Sequence, residues 1–342
     1  MYLLIRKFLF YFDAEKVHHW VMNRLKYAYS ISFIRKWMKS KYTIQNPLLE
    51  RTLWGIHFPN PVGLAGGFDK NGEYTDPLAC LGFGFIEVGT VTPLPQDGND
   101  KPRLFRLPAD KALLNRMGFN NKGAAYTATQ LQNRQEKIII GGNIGKNKDT
   151  PNENATDDYE KCFKELYNYV DFFILNVSSP NTPGLRELQN KEPLTILINR
   201  LMALNTEMGN AKPILLKISP DNTNEQLNDI IEIVLNTGLH GIVATNTTTS
   251  RYGLSSPGDK VTKQGAGGIS GQPVKNRATE IVSYIHNHSY GKIPIIACGG
   301  IFTAKDALDK LKAGASLVQL YTGFIYEGPE VAKKICEGLL SQ

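Results

Sequence analysis

Eight short apolar runs, each followed by room for a helix, constrain the fold of this 342-residue chain more than any other feature. They are Pro61–Ala65, Phe85–Gly89, Ile138–Asn143, Phe172–Val177, Ile214–Ile218, Gly241–Thr245, Pro294–Ala297 and Ser316–Tyr321. Helical patterns lie between them at Asp157–Val170, Glu192–Met208, Glu225–Asn236, Asn276–His286 and Ala304–Ala313. Parallel strands need long crossovers, usually helical, and eight such units close into an α/β (β/α)8 TIM barrel more readily than they form an open sheet. Three features lie outside this pattern. Thr52–Phe58 alternates like a strand before the first barrel strand, about thirty residues separate the second strand from Asn120, and a Gly/Ser-rich stretch, Ser250–Gly271, follows the sixth.

Chemistry in such a barrel collects at the C-terminal ends of the strands. Here those ends read Gly66-Gly67-Phe68-Asp69-Lys70, Gly89-Thr90, Asn143, Asn176, Lys217, Thr245-Asn246-Thr247, Gly299-Gly300 and Tyr321-Thr322-Gly323. Small residues let a ligand approach the backbone, and amides and hydroxyls read its heteroatoms. No paired carboxylates and no Ser-His-Asp or Cys-His set stands among these ends, which argues against acid/base hydrolysis. A polar but charge-poor rim suits a bound cofactor that does the chemistry itself. Gly299-Gly300 and Thr322-Gly323 follow strands seven and eight, where many barrels hold a phosphate on backbone N–H groups. Gly-Gly alone would be a weak signal, because tight turns use it constantly.

The loop Asn176–Gly184 is the densest of these ends. Asn176 and Asn181 offer uncharged donors and acceptors to a planar polar ligand, with the Ser178 and Ser179 hydroxyls beside them and two prolines restricting the loop. An ordinary Asx/Pro turn would look the same in isolation; the matching chemistry of the other strand ends favours a site.

Composition narrows the class. Cys80, Cys162, Cys298 and Cys336 form no CxxC pair and the six histidines show no metal-ligand spacing, so neither a disulfide framework nor a metal site is indicated. The net charge of +7 would suggest a polyanion partner, but the first 41 residues hold nine basic residues against Asp13 and Glu15 alone. The rest of the chain balances at zero, which excludes a basic nucleic-acid face on the barrel.

That basic segment is also aromatic, with Phe8, Phe10, Tyr11, Phe12, Trp20, Tyr27, Tyr29, Phe33 and Trp37. Asp13 is placed to cap a helix carrying Val17, Val21 and Leu25 on one face, and a second helix fits Phe33, Ile34, Trp37 and Met38. The opening residues 1–12 are apolar but broken by Arg6 and Lys7, and they are too short to span a bilayer or to read as a secretory signal. Two readings of these helices stay open: they lie on an anionic membrane surface, or they pack onto the main domain and bind nothing. The chain divides into this segment, 1–45, and a barrel, 46–342.

Ordered motifs along nearly the whole chain resemble the dihydroorotate dehydrogenase family. They include Gly63–Lys70, Glu87–Pro93, Gly98–Arg106, Asn115–Asn121, Asn143–Asn147, the Asn176–Gly184 loop, Ala244–Thr248, Gly267–Gly271 and Gly314–Tyr321. Departures are small: Gly66 stands where the family commonly has alanine, and Phe68 where it has leucine. The resemblance implies a barrel that binds FMN and oxidises dihydroorotate to orotate in pyrimidine biosynthesis. Family members with a cysteine base lack an N-terminal extension, whereas those with a serine base carry a helical one and pass electrons to a membrane quinone. Ser179 at the base position and the basic aromatic segment both imply the quinone-linked branch.

By the same resemblance, FMN would contact Gly66, Gly67, Phe68, Asp69, Lys70, Thr90, Asn143, Asn176, Lys217, Thr245, Gly271, Gly300, Tyr321 and Thr322. Lys70, Asn115, Arg116, Met117, Gly118, Phe119, Asn176, Asn181, Asn246 and Thr247 would surround dihydroorotate, with Ser179 as catalytic base. Amides suit a cyclic ureide, Lys70 offsets its carboxylate, and a lysine at position 217 would stabilise charge building on the reduced ring. No acid lies in the Lys217 run to pair with it. Ser178 or a water would relay the Ser179 proton, and His18 is placed either to line a quinone tunnel or to sit on the surface. The absence of a transit peptide and of a spanning run implies a peripheral protein on the cytoplasmic face of a bacterial inner membrane. Two rivals remain: a flavin barrel reducing tRNA uridines, which would need a cysteine and a basic face, and a membrane-docked barrel that binds a phosphorylated ligand without redox chemistry.

Overall fold

The computed structural model describes residues 2–342, the side chain of Lys260 excepted. Three helices come first: α1 (Tyr2–Leu9), α2 (Ala14–Ser30) and α3 (Ser32–Tyr42). The Asp13 carboxylate accepts from the Lys16 N–H at 2.9 Å and caps α2 as its spacing predicts. The helices are docked on the barrel. Met22, Tyr29, Met38 and Tyr42 join its main apolar core, while Leu3, Leu4, Phe8, Trp20, Phe33 and Trp37 remain exposed.

The stretch 52–58, expected as one strand, is a hairpin of β1 (Arg51–Leu53) and β2 (Ile56–Phe58). Trp54 and Gly55 both take positive φ, 53° and 77°, the two-residue turn whose twist matches paired strands. The hairpin closes the lower mouth of the barrel. Phe58 packs on Phe85 and Phe172 inside it, and Trp54 donates to the His240 carbonyl at 2.8 Å.

The remaining strands are β3 (Val62–Asp69), β4 (Phe85–Val91), β5 (Leu104–Leu107), β6 (Ala112–Asn115), β7 (Ile139–Ile144), β8 (Phe172–Asn176), β9 (Ile214–Ile218), β10 (Gly241–Ala244), β11 (Gly268–Gly271), β12 (Ile295–Cys298) and β13 (Leu317–Leu320). The helices are α4 (Thr75–Ala79), α5 (Ala124–Gln132), α6 (Ala155–Leu166), α7 (Lys191–Glu207), α8 (Asn224–Thr237), α9 (Gly258–Lys263), α10 (Lys275–His288), α11 (Ala304–Lys312), α12 (Thr322–Glu327) and α13 (Val331–Leu340). Eight strands, in the order β10-β12-β13-β3-β4-β7-β8-β9, form a closed, all-parallel barrel. It is the (β/α)8 architecture expected from the alternating pattern.

The strand period of two sorts the interior into layers. The lower layer is apolar: Phe85, Phe172, Leu215, Val243, Ile296 and Leu317 pack together with Phe58. Glycine makes room for the large rings, since a Cβ on Gly63 would lie 2.3 Å from Phe85 and one on Gly141 2.6 Å from Phe172. Two residues further along, the interior turns polar at Glu87, Lys217, Thr245, Cys298 and Gln319, while on β8 it stays apolar at Ile174.

The two irregular stretches in the sequence meet in space. β5, β6 and β11 form an antiparallel sheet of their own, with Leu104 opposite Asn115 and Asn115 opposite Gly268. Strands 153 residues apart pair there, a partnership that local periodicity cannot reveal.

Candidate active site

One cavity opens at the C-terminal ends of the barrel strands, roofed by the β5–β6–β11 sheet. Its floor is a buried polar cluster. Glu87 on β4 is 0% exposed; its Oε1 accepts from Lys217 Nζ at 2.7 Å and from Asn143 Nδ2 at 2.5 Å, and its Oε2 accepts from Gln319 Nε2 at 2.8 Å. Lys217 therefore does have an acid partner, contributed by another strand where its own run has none. Gly66 gives this carboxylate room, because a Cβ there would sit 2.3 Å from Glu87 Oε1.

A carboxylate only accepts hydrogen bonds, so the amides of Asn143 and Gln319 must turn their NH2 groups to it. Asn143 Oδ1 and Gln319 Oε1 are consequently buried with no partner. Each such orphan costs roughly 1–3 kcal/mol, and both residues line the cavity. Two unused acceptors beside an ammonium suit a planar heterocycle with a ring N–H and an electron-rich edge. At the other end, the cavity reaches Gly299, Gly300, Thr322 and Gly323, and the Ser270 and Thr322 hydroxyls lie 2.8 Å apart. Backbone N–H groups and hydroxyls of this kind suit a phosphate tail.

The rim carries the amides. Asn176 donates to Thr90 Oγ1 at 2.7 Å, Asn246 donates to Asn176 Oδ1 at 3.2 Å and to Ser178 Oγ at 3.0 Å, and Asn181 donates to Asn115 Oδ1 at 2.9 Å. Ser179 lies on the cavity wall, 6% exposed, and its Oγ accepts only a long 3.3 Å bond from the Asn181 N–H. Thr182 Oγ1, three residues on in the same loop, is buried and unpartnered. Burial pulls the Lys70 ammonium down to about 8, with Arg103 adding to it and Glu15 and Asp69 opposing.

Most residues singled out in the sequence meet in this cavity: Gly66, Gly67, Lys70, Thr90, Asn115, Met117, Gly118, Phe119, Asn143, Asn176, Ser179, Asn181, Lys217, Thr245, Asn246, Thr247, Gly271, Gly300, Tyr321 and Thr322. Three do not line it. Phe68 faces α2, with its ring 4.8 Å from His18 and 5.6 Å from Tyr321. Asp69 is buried beneath the strand end, where it accepts the N–H groups of Asn71, Glu73 and Tyr74 and closes the turn. Arg116 turns outward to the carbonyls of Gln264 and Pro102 and lies over Phe105.

The polar residues Glu87, Ser270, Cys298 and Gln319, with the apolar Val274 and Ile301, are cavity residues or partners that escaped the sequence reading. The missing signal was parity. Phe85/Glu87, Gly141/Asn143, Leu215/Lys217, Ile296/Cys298 and Leu317/Gln319 each share the inward face of one strand, so the lower member of a pair marks the upper one as facing the cavity.

Residues 48–342 match the family model described as Dihydroorotate dehydrogenase. The chain belongs to the dihydroorotate dehydrogenase family. It is 54% identical over 339 residues to the dihydroorotate dehydrogenase (quinone) of Christiangramia forsetii, covering 99% of this chain and 98% of that one. Its identity to the protein of the same name in Coxiella burnetii is 47%, covering 99% and 96%. The crystal structure of the Eimeria tenella DHODH in complex with ferulenol superposes with a TM-score of 0.85 at 38% identity, covering 96% of this chain and 91% of that one. The family is flavin-dependent, and the floor of amides and one ammonium in this chain fits a flavin ring. Its N-terminal helices lie within the matched length of these full-length relatives.

Proposed function

We propose that this chain oxidises dihydroorotate to orotate with FMN as its flavin and a membrane quinone as final electron acceptor. The observation that carries the reading is one cavity joining two chemistries. Its floor offers Lys217 and two unpartnered amide oxygens to a flavin, and its rim offers Asn115, Asn176, Asn181 and Asn246 to a cyclic ureide beside Ser179. Asn143, Lys217, Gly300 and Thr322 would hold FMN, which supplies the acceptor for the hydride leaving C6 of the substrate.

The chain's own residues do the rest. The rim amides pair with the substrate's N–H and C=O edges, and Lys70 offsets its carboxylate. Ser179 Oγ takes the C5 proton while its own hydroxyl proton passes to Ser178 or a water, and the ring double bond forms as the hydride departs. A serine hydroxyl is a poor base in water, so the near-complete burial of Ser178 and Ser179 is a requirement of this step.

Residues 1–45 would form the quinone and membrane segment and 46–342 the FMN barrel. His18 on α2 packs edge-on against Phe68, Phe68 packs on Tyr321, and Tyr321 lines the flavin cavity. A chain of rings thus runs from α2 to the site. His18 is half-buried, and burial, with Lys70 and His19, pushes it down to about 3, so it stays neutral beside an apolar ligand. The exposed aromatics and basic residues of α1–α3 suit an anionic lipid surface, on the cytoplasmic face of a bacterial inner membrane. No helix among the described residues is long and apolar enough to cross a membrane.

The test is anaerobic addition of dihydroorotate to the purified protein, followed by candidate acceptors. Bleaching of the flavin and reoxidation by quinones, but not by fumarate or NAD, is the expected result. Reoxidation by fumarate or NAD would overturn the branch assignment, and absence of bleaching would overturn the substrate.

A further inference from the structure

The Glu87 cluster does something that the reaction itself does not require of a barrel floor. Lys217 alone would stabilise negative charge on a ring above it. Here its ammonium is answered at 2.7 Å by a carboxylate that is 0% exposed, in a site with little water to screen either charge. The same carboxylate dictates which way two other side chains face. Asn143 sits on β7, Gln319 on β13 and Lys217 on β9, and Glu87 bonds to all three. Replace it by a group that can also donate, and either amide is free to turn over and present NH2 to the ligand in place of C=O.

We propose that Glu87 is a positioning residue that sets the redox potential of the bound flavin, by orienting the Asn143 and Gln319 carbonyl oxygens toward the ring and by compensating the charge of Lys217. This rests on the reading that the cavity holds FMN. Oxidised ring and reduced ring differ in charge, so a fixed carboxylate in the floor disfavours the reduced one while the ammonium favours it. The balance of the pair, rather than the lysine alone, determines how readily the site takes electrons from dihydroorotate and gives them to a quinone. A carboxylate in this place also explains why two amides can be buried with unsatisfied oxygens: their NH2 groups are held by charge-assisted bonds, and the oxygens wait for a ligand.

The experiment measures the two-electron midpoint potential of the flavin, by reduction against reference dyes, in the wild-type holoenzyme and in Glu87→Gln, Lys217→Met and the double variant. Binding of FMN to each apoprotein is measured beside it. Glu87→Gln is expected to raise the preference for reduced over oxidised flavin at least tenfold, a positive shift of about 30 mV for a two-electron couple. It should also weaken binding of the oxidised flavin as the amides lose their fixed orientation. Lys217→Met should shift the potential the other way.

A Glu87→Gln protein that binds flavin with an unmoved or lowered potential overturns the proposal and leaves Glu87 a structural ion-pair partner. If the single variant does not fold, the double variant, which removes both buried charges together, answers the same question. Its potential should lie above that of Lys217→Met alone, and equality of the two overturns the proposal. Wild-type protein that neither carries a flavin nor takes one up would instead defeat the FMN reading, a result distinct from any change between variants.

Discussion

Replacing Ser179 by alanine removes one oxygen from the site, and the structure sets the size of the effect. The Oγ accepts a single 3.3 Å bond from the Asn181 N–H, so its loss should cost at most about 1 kcal/mol of stability, a shift of a few degrees in Tm. Flavin binding should persist, because Asn143, Lys217 and Gln319 stand on other strands and are held through Glu87. The chemical step is different. A positioned general base contributes about 10²–10⁴ in rate, roughly 2.7–5.4 kcal/mol of barrier. Ser178 is 0% exposed and Ser179 6%, so bulk water is poorly placed to substitute, and the loss should fall in the upper half of that range. Stopped-flow bleaching of the flavin by dihydroorotate without oxygen isolates this step from quinone reduction. A yellow, folded Ser179→Ala protein bleaching within about threefold of wild type would remove the serine as base.

Three further outcomes follow from the geometry. Because burial holds Lys70 down to about 8, it loses its proton as the pH rises through that value, so the KM for dihydroorotate should climb above about pH 8 in steady-state assays, and a flat KM to pH 9.5 would contradict the carboxylate role. Glu15 on α2 pairs with the buried Arg103 at 2.7 Å; burial opposes its charge but the guanidinium outweighs this and holds the carboxyl below its usual range. Glu15→Ala should therefore destabilise the docked helix by about 3 kcal/mol, read as earlier proteolysis between α2 and the barrel in native digests. In the wild type, this contribution is present above the ordinary glutamate pKa and fades as the pH falls through the lowered folded value. Serine at Phe8, Trp20, Phe33 and Trp37, all exposed, should cut binding to anionic liposomes severalfold while flavin bleaching by dihydroorotate is retained; unchanged sedimentation with vesicles would refute the membrane surface.

The barrel was legible in the sequence because its signals are local. Each of the eight strands is a short apolar run, helical periods follow the later ones along the chain, and Asp13 announces the start of α2 from a single side chain. The strand-end amides and glycines were legible for the same reason: position at a strand terminus in a barrel is enough to place them at the mouth. What local pattern could not supply was partnership between distant segments. Thr52–Phe58 reads as one strand in the sequence because the turn of the hairpin is only two residues long, and the β5–β6–β11 sheet joins insertions that look structureless when read separately.

The chain's own order of residues determined the barrel, the basic aromatic leader and the serine-bearing amide loop, since periodicity, charge placement and turn chemistry act between near neighbours. Tertiary structure decided that Lys217 meets Glu87, that Asp69 closes a turn and Arg116 faces outward, and that Phe68 joins α2 to Tyr321 on the cavity wall. Those facts depend on which inward-facing side chains reach the same height in a closed barrel. That height is set by strand register and shear, which no single strand contains.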